Sequence, residues 1–541
     1  MTETAATVAQ PAVAEIVREN KMPSGIPFII SNEFAERYCF YGINAILSVY
    51  MTEFLHAGEA VATVGHSFFK VAAYAFPIVG AIFADALWGK FRTIMTFSLV
   101  YALGCLVLAL VPGVSGLMIG LFMIAFGTGG IKPCVSTNVG DQFTSKNEHL
   151  IERAFSYFYL AINAGSSISI FIAEPLLRRY GRVAAFGSPA AMMLLAVLVF
   201  WMGRKRYVVV PPAGKAWLKE VFSSEGRSLI GRLCTIYVFV ACFWALWDQS
   251  NGQTFTLQAE SSLMDKSVFG FVLEPAQIQV VNGFFILGLV PIFTFAVYPI
   301  MGKFFTVTPL RKMGIGFFVT ASSFVIVARV EAHIQAGQTV SVWWQILAYL
   351  VLSAAEVLVS ITGLEFSYKQ APLKMKSIIT ALYLLAVAAG NLGTGLVNYL
   401  MERPLHATAV DVGSETWVTL GDTRDIIVGQ KIDFAGKTGV EVTKTDGTTE
   451  PFAGTFLVAE SDPSHQRLRL MDVVDRKPVQ TRGSFDPSKA EVTTYRLVGP
   501  QYFMFFAEVM TMMALIFIPV ALRYKEKIFV RTESRTSAAA A

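Results

Sequence analysis

Apolar runs of about twenty residues recur along almost the whole of this chain, and nothing else in it restricts the fold as strongly. They fall near 27–50, 63–84, 93–112, 115–139, 152–174, 184–203, 229–257, 277–301, 313–330, 342–366, 377–401 and 501–522. A backbone in hydrocarbon must satisfy its own hydrogen bonds, so runs of this length become helices. The 541 residues are 54% hydrophobic and only 15% charged, which excludes an ordinary soluble domain. The expected fold class is an all-α membrane protein of 12 transmembrane helices in two six-helix bundles.

Lysine and arginine set the orientation. Lys90 and Arg92, Lys146 and Arg153, the group Arg204 to Lys219, Lys303 to Lys312, Lys369 to Lys376, and Arg523 to Lys527 lie in alternate connections. That side is therefore the cytoplasm, with both termini inside. Arg178, Arg179 and Arg182 run against the bias, in a loop expected outside. The net charge of +5 is read as topology rather than nucleic-acid affinity. The expected layout is a tail (1–24), a first bundle (25–203), a basic linker with Pro211-Pro212 (204–228), a second bundle (229–401 plus 500–523), and a tail (524–541). Two sets of six helices with a linker are the pattern of transporters whose substrate lies between the halves.

Residues 402–499 differ in kind. ETWVTLG, QRLRLMDVVD and AEVTTYRLV alternate like strands, and Asp446-Gly447 reads as a hairpin turn. This is expected to be a small β-rich extracytoplasmic insertion between helices 11 and 12, passive or assembly-related. The five cysteines all lie in apolar segments, with no metal spacing. No catalytic triad, metal-ligand set or phosphate loop occurs, so no enzyme and no cofactor are expected.

Chemistry concentrates where charge interrupts the apolar text. Glu33, Glu36 and Arg37 lie in the middle of IPFIISNEFAERYCFYGINAILSVYM. Ionisable groups at such depth cost roughly 2.5–3.5 kcal/mol each and usually mark a substrate or proton path. Glu33 and Arg37 have the favourable i, i+4 order, and they share a helix face with Phe40, Tyr41 and Asn44. A structural ion-pair cluster is the competing reading. In AFGTGGIKPCVSTNVGDQF, Lys132 needs a partner within the fourth span, and Pro133 suggests a bent helix. The glycines there also suit simple helix packing. Asn163 in AFSYFYLAINAGS suits a substrate amide or a neighbouring helix equally.

The second half supplies Trp244, Asp248, Asn282 and Glu356, and a carboxylate at Glu356 facing Lys132 would neutralise both. Positive charge in the first half (Arg37, Lys132) and negative in the second (Asp248, Glu356), with Tyr41, Tyr74, Asn163 and Asn282 between, matches a small zwitterion containing peptide bonds. Asp85, Gly89, Lys90 and Arg92 form GAIFADALWGKFR, in which an acid near a helix N-terminus of the other half would make a latch. That pattern resembles the cytoplasmic loop signature of the major facilitator superfamily.

NEFAERYCFYG, GTGGIKPCVSTNVGDQF, FYLAINAGS, FWALWDQ and ITGLEFSYKQAP, in this order, resemble the signature segments of the proton-dependent oligopeptide transporter family. The resemblance implies a major facilitator fold and proton-coupled import of di- and tripeptides by alternating access; the chain is further expected to be a multi-pass cell (inner) membrane protein working as a monomer. It implies substrate binding by Arg37, Tyr41, Tyr74, Lys132, Asn163, Trp244, Asn282 and Glu356. Proton coupling falls on Glu33, Glu36, Arg37, Lys132 and Asp248, with His66 near a histidine that animal members use. The departures are Phe40, Asn44 where many members carry a second arginine, and Tyr383 where tryptophan is common. A carrier of nitrate or another small anion is the alternative, opposed by the acids Asp248 and Glu356. A membrane sensor reading peptides through its outer domain is a third.

Overall fold

The computed structural model describes residues 19–526 and 529, apart from 52–54, 56–68, 70–71, 251–253, 260, 274, 424–425, 436–437, 444–448 and 473–475. His66 and the Asp446-Gly447 turn lie outside the described residues, as do most of both tails. Among the described residues nine helices are long and apolar enough to cross a membrane, so the chain is a multi-pass helical membrane protein.

In chain order the helices are α1 Ile26–Val49, α2 Ala72–Leu87, α3 Lys90–Leu110, α4 Gly113–Asp141 and α5 Ile151–Met202. A short helix, α6 Lys215–Val221, follows. Then come α7 Ser224–Ser250, α8 Val281–Phe304, α9 Pro309–Gln335, α10 Trp343–Gln370, α11 Lys376–Met401 and α12 Pro500–Arg523.

Local chemistry sets several of these ends. Thr308 accepts a hydrogen bond from Arg311 N (3.3 Å) and Pro309 opens the first turn of α9, a strong N-terminal signal. Ser223 Oγ accepts from Gly226 N (2.9 Å), so α7 begins at Ser224, ahead of its apolar run. At Gly89 the backbone takes φ +80°, a glycine conformation, and the chain turns from α2 into α3.

One expectation is corrected. The arginines 178, 179 and 182 do not lie in a loop: helix continues from Ile151 to Met202, broken only at Gly181 (φ 74°, ψ −173°). At 1.5 Å per residue such a helix would measure about 78 Å if straight, well beyond the ~30 Å hydrocarbon core. One glycine therefore does the work of a loop. α4 runs on through Pro133 to Asp141. Its glycines serve close packing: a methyl group on Gly80 would fall 2.4 Å from Gly129 O, and one on Gly130 would fall 2.0 Å from Phe97.

The buried side chains of α1 to α5 form one apolar cluster, joined by a few residues from α8 and α10. Those of α6 to α12 form a second. A third is separate and lies entirely within residues 405–492.

That third core belongs to ten strands: β1 Glu402–Leu405, β2 Ala407–Asp411, β3 Trp417–Leu420, β4 Lys431–Ala435, β5 Val440–Thr443, β6 Thr449–Pro451, β7 Gly454–Asp462, β8 Arg467–Asp472, β9 Gln480–Gly483 and β10 Glu491–Tyr495. Seven form an antiparallel sheet in the order β1-β10-β4-β7-β8-β3-β2, and β6-β5-β9 form another. The two edges of the large sheet, β1 and β2, are separated in sequence by His406 alone. In a flat sheet they would stand about 29 Å apart at ~4.8 Å per strand. One residue cannot cover that distance, so the sheet rolls until its edges meet. Glu402 pairs with Tyr495, so the chain leaves α11 and returns to α12 at neighbouring points.

Candidate functional site

Two polar constellations are buried among the helices. The first is built on α1. Arg37 Nε lies 2.7 Å from Glu33 Oε1 and 3.0 Å from Glu36 Oε2, so one guanidinium serves both acids. The expected i, i+4 pair forms and Glu36 joins it. Thr128 of α4 donates to the other oxygen of Glu36. The second oxygen of Glu33 has no hydrogen-bond partner among the described residues.

Lys132 is 4% exposed and points into the same region from α4. Its ammonium lies 4.2 Å from the ring centre of Phe40 and 4.7 Å from that of Tyr74. Aromatic faces stabilise a desolvated cation by up to about 2 kcal/mol. They accept no conventional hydrogen bond, and Lys132 Nζ has no such partner among the described residues. Three buried N–H donors are thus left for a ligand. The ring of Tyr41 lies edge-on to Phe40, at 5.5 Å.

The second constellation surrounds Glu356 on α10. One oxygen accepts from Tyr159 of α5; the other accepts from Trp247 Nε1 (2.8 Å) and Asn282 Nδ2 (3.0 Å). Asn282 also donates to Ser353 (2.9 Å). A π-helical turn, Val357–Ile361, follows Glu356 directly, a local widening frequent at functional sites. The expected Lys132–Glu356 pair does not form: Glu356 is filled by three neutral donors and Lys132 is packed by rings. Helix rotation decides which groups face each other, and here Tyr159 stands where Lys132 was expected.

Trp244 is half-buried on α7 beside Trp247, with ring centres 5.1 Å apart. Asp248 follows, also half-buried. Asn163 donates to Tyr159 O (3.0 Å), within its own helix. Tyr383 donates to Ser360 O (3.2 Å).

A further set of polar contacts joins the two helical groups at the end where α2 meets α3. Asp85 Oδ2 accepts from the backbone N–H groups of Ser377 (2.9 Å) and Ile378 (3.2 Å), which open α11. A carboxylate there meets unpaired donors and the positive end of the helix dipole. Lys90 donates to Asp141 Oδ2, while Tyr368 of α10 donates to Asp141 Oδ1 (2.9 Å). Lys312 lies 2.5 Å from Glu152. Gly89 supplies the turn between Asp85 and Lys90; Arg92 is exposed on α3.

Tyr159, Trp247, Asp141 and Tyr368 were not singled out from sequence. Asp141 carried one signal, the preceding glycine: a methyl on Gly140 would fall 2.2 Å from the Tyr368 ring, so only glycine admits that phenol.

The model of the POT family matches residues 91–225 and 215–418. Peptide transporter family 1 of Drosophila melanogaster is 37% identical over 361 residues, 58% of this chain and 48% of that protein. Solute carrier family 15 member 2 of Homo sapiens is 37% identical over 396 residues, 63% of this chain and 54% of that protein. The chain thus spans about half the length of the curated relatives it matches. Among solved structures, the POT family transporter PepTSo is similar with a TM-score of 0.57 and 32% identity, over 70% of this chain and 90% of that one. An auto-inhibited POT family peptide transporter is similar with a TM-score of 0.60 and 25% identity, over 94% and 99%.

Proposed function

The chain belongs to the POT family of membrane transporters, and from that premise we propose that it is a proton-coupled symporter importing di- and tripeptides by alternating access. The observation that carries this reading is the polarity of the two constellations. Lys132 in the first helical group offers three buried donors with no described acceptor, and Glu356 in the second is a buried carboxylate. A peptide's carboxylate goes to Lys132, with Arg37 beside it, and its amino group to Glu356. Tyr41, Tyr74, Asn163, Trp244 and Asn282 line the space for its middle.

Binding couples to movement through Tyr159. Its hydroxyl ties α5 to Glu356. A substrate ammonium is a charged donor and a stronger partner for Glu356 than a phenol. It displaces Tyr159 and releases one tie between the helical groups. Protons enter through Glu33, Glu36 and Asp248. Protonating either glutamate loosens its hold on Arg37 and frees the guanidinium for substrate. The coupling ion is the proton, and we assign no other cofactor.

The fold in this reading is a major facilitator arrangement of twelve spans. α1 has the length of a span and exceeds the usual charge content only through Glu33, Glu36 and Arg37; α2 is described from Ala72 onward; α5 holds two spans about Gly181. The basic connections face the cytoplasm with both termini, and β1 to β10 form a domain outside. The contacts of Asp85, Asp141 and Glu152 then close the cytoplasmic end, and the chain acts as a monomer in the cell (inner) membrane.

Competition in proteoliposomes tests the two poles. Dialanine is expected to block uptake of a labelled dipeptide, N-acetyl-dialanine and dialanine amide to block it weakly, and nitrate not at all. Equal competition by nitrate and dialanine would overturn the assignment.

A further inference from the structure

Between α7 and α8 the chain makes a small hairpin whose apolar side chains face outward. Ser267 pairs with Val272 and Val268 with Phe271, around the turn residues Phe269 and Gly270. Val268 and Leu273 pack inward on the second apolar cluster. The others do not: Phe269 is 86% exposed, Phe271 75% and Val272 73%. Trp343 and Trp344, which open α10, are exposed beside them, and Trp343 meets Phe269 edge-on at 5.3 Å.

Phe269 has φ +49°, a left-handed conformation that turns of this kind normally assign to asparagine, aspartate or glycine. A phenylalanine there accepts backbone strain while leaving most of its ring uncovered by the protein. Exposed aromatic and aliphatic side chains gathered in one place mark an interaction site.

The base of the hairpin fixes its height. Met264 and Asp265 pair with Val340 and Ser341, immediately before α10, and Lys266 Nζ donates to Ala259 O (3.2 Å). The tip is thus held level with the first turn of a membrane-crossing helix. One turn further along α10, Leu347 is exposed on the surface that such a helix turns to lipid. Trp343, at the end of that helix, joins this flank to the hairpin through Phe269, and aromatic side chains at span ends collect at the membrane interface.

We propose that residues 267–272 are an interfacial anchor, with Phe269, Phe271 and Val272 inserted at the headgroup–acyl boundary of the leaflet surrounding the N-terminal end of α10. The occupant is lipid rather than a second copy of the chain, because Phe269 meets Trp343 and the exposed Leu347 follows Trp343 at i+4, on the same flank of a membrane-crossing helix. The anchor would hold the α7–α8 connection against the membrane while the helices beneath it move.

Spin labelling of the full chain in nanodiscs of phosphatidylcholine and phosphatidylglycerol tests this. Val272→Cys is labelled in a background with Cys234→Ala and Cys242→Ala. Phe295→Cys on α8 serves as a lipid reference and Ser464→Cys as a water reference. Collision with oxygen and with a nickel chelate reports depth. Residue 272 is expected to show an oxygen-to-nickel ratio between those at 295 and 464, and well above that at 464. A ratio matching 464 would overturn the anchor, and so would low collision rates with both reagents, the mark of a protein partner. Phe271→Cys is the second variant, expected to give the same depth, and a water-like ratio there would also overturn the proposal.

Discussion

The polar clusters at the centre and at the α2–α3 end are built from the same residue types and satisfied very differently. At the end, Asp85 takes two backbone donors, and Asp141 takes an ammonium and a phenol. At the centre, Lys132 has ring faces and no described hydrogen-bond acceptor, and one oxygen of Glu33 has no described donor. Buried polar groups left without partners are costly unless something supplies them. In the proposed function the satisfied cluster holds a conformation and the unsatisfied one receives the ligand. Substitutions in the two should separate cleanly: those at the centre change what is carried, and those at the end change which way the molecule faces.

The largest effect is expected at Lys132. Lys132→Met should reduce dipeptide uptake by roughly 10- to 150-fold, the equivalent of about 1.5–3 kcal/mol for a hydrogen bond to a charged group. Transport of dialanine amide, which lacks the carboxylate, should hardly change. An equal loss for both substrates would mean that Lys132 is structural.

Tyr159→Phe comes next. It removes the link between α5 and Glu356, and peptide binding measured by calorimetry should tighten, because the substrate ammonium no longer competes with a phenol. Weaker binding would show that Tyr159 contacts substrate instead.

At the other cluster, Asp85→Asn keeps the shape and loses the charge. The helix-end interaction is worth about 0.3–1 kcal/mol, up to ~2 when partly buried. Distances between spin labels across the α2–α3 end should lengthen in a larger share of molecules, with the preference for dialanine over its amide unchanged. A change in that preference would break the separation between the clusters.

The smallest effect is expected from the β region. Because β1 and β10 are paired, residues 402–495 can be replaced by a short glycine–serine connection without separating α11 from α12. Uptake by this variant should stay within about twofold of the parent, a change below ~0.4 kcal/mol. A larger loss would give the strands a direct part in transport.

The helices were legible because hydrocarbon demands an apolar run of fixed length, a property each segment carries by itself. The charges on α1 were legible for the same reason, since they interrupt such a run. Partnership across the molecule was not. Which residue faces Glu356 depends on the rotation of α4, α5, α7 and α8 about their axes, and Tyr159 is one aromatic among several in AFSYFYL. The stretch about Gly181 reads as a loop because it falls between the apolar runs 152–174 and 184–203. Asp141 is not singled out in the sequence, because its partner Tyr368 lies more than two hundred residues away. In the β region the alternation of KIDFA and RLRLMD is visible in the text. The rolling of the sheet about His406 appears only once the strand order is known.

The central claim is that an inward proton gradient drives peptide accumulation through this pair of poles. Its most direct test is uptake of labelled dialanine into proteoliposomes, acid outside and neutral inside, with and without a protonophore. The account predicts accumulation above the external concentration that collapses to equilibration when the protonophore is added. Uptake that merely equilibrates, and at the same level with or without the gradient, would contradict it.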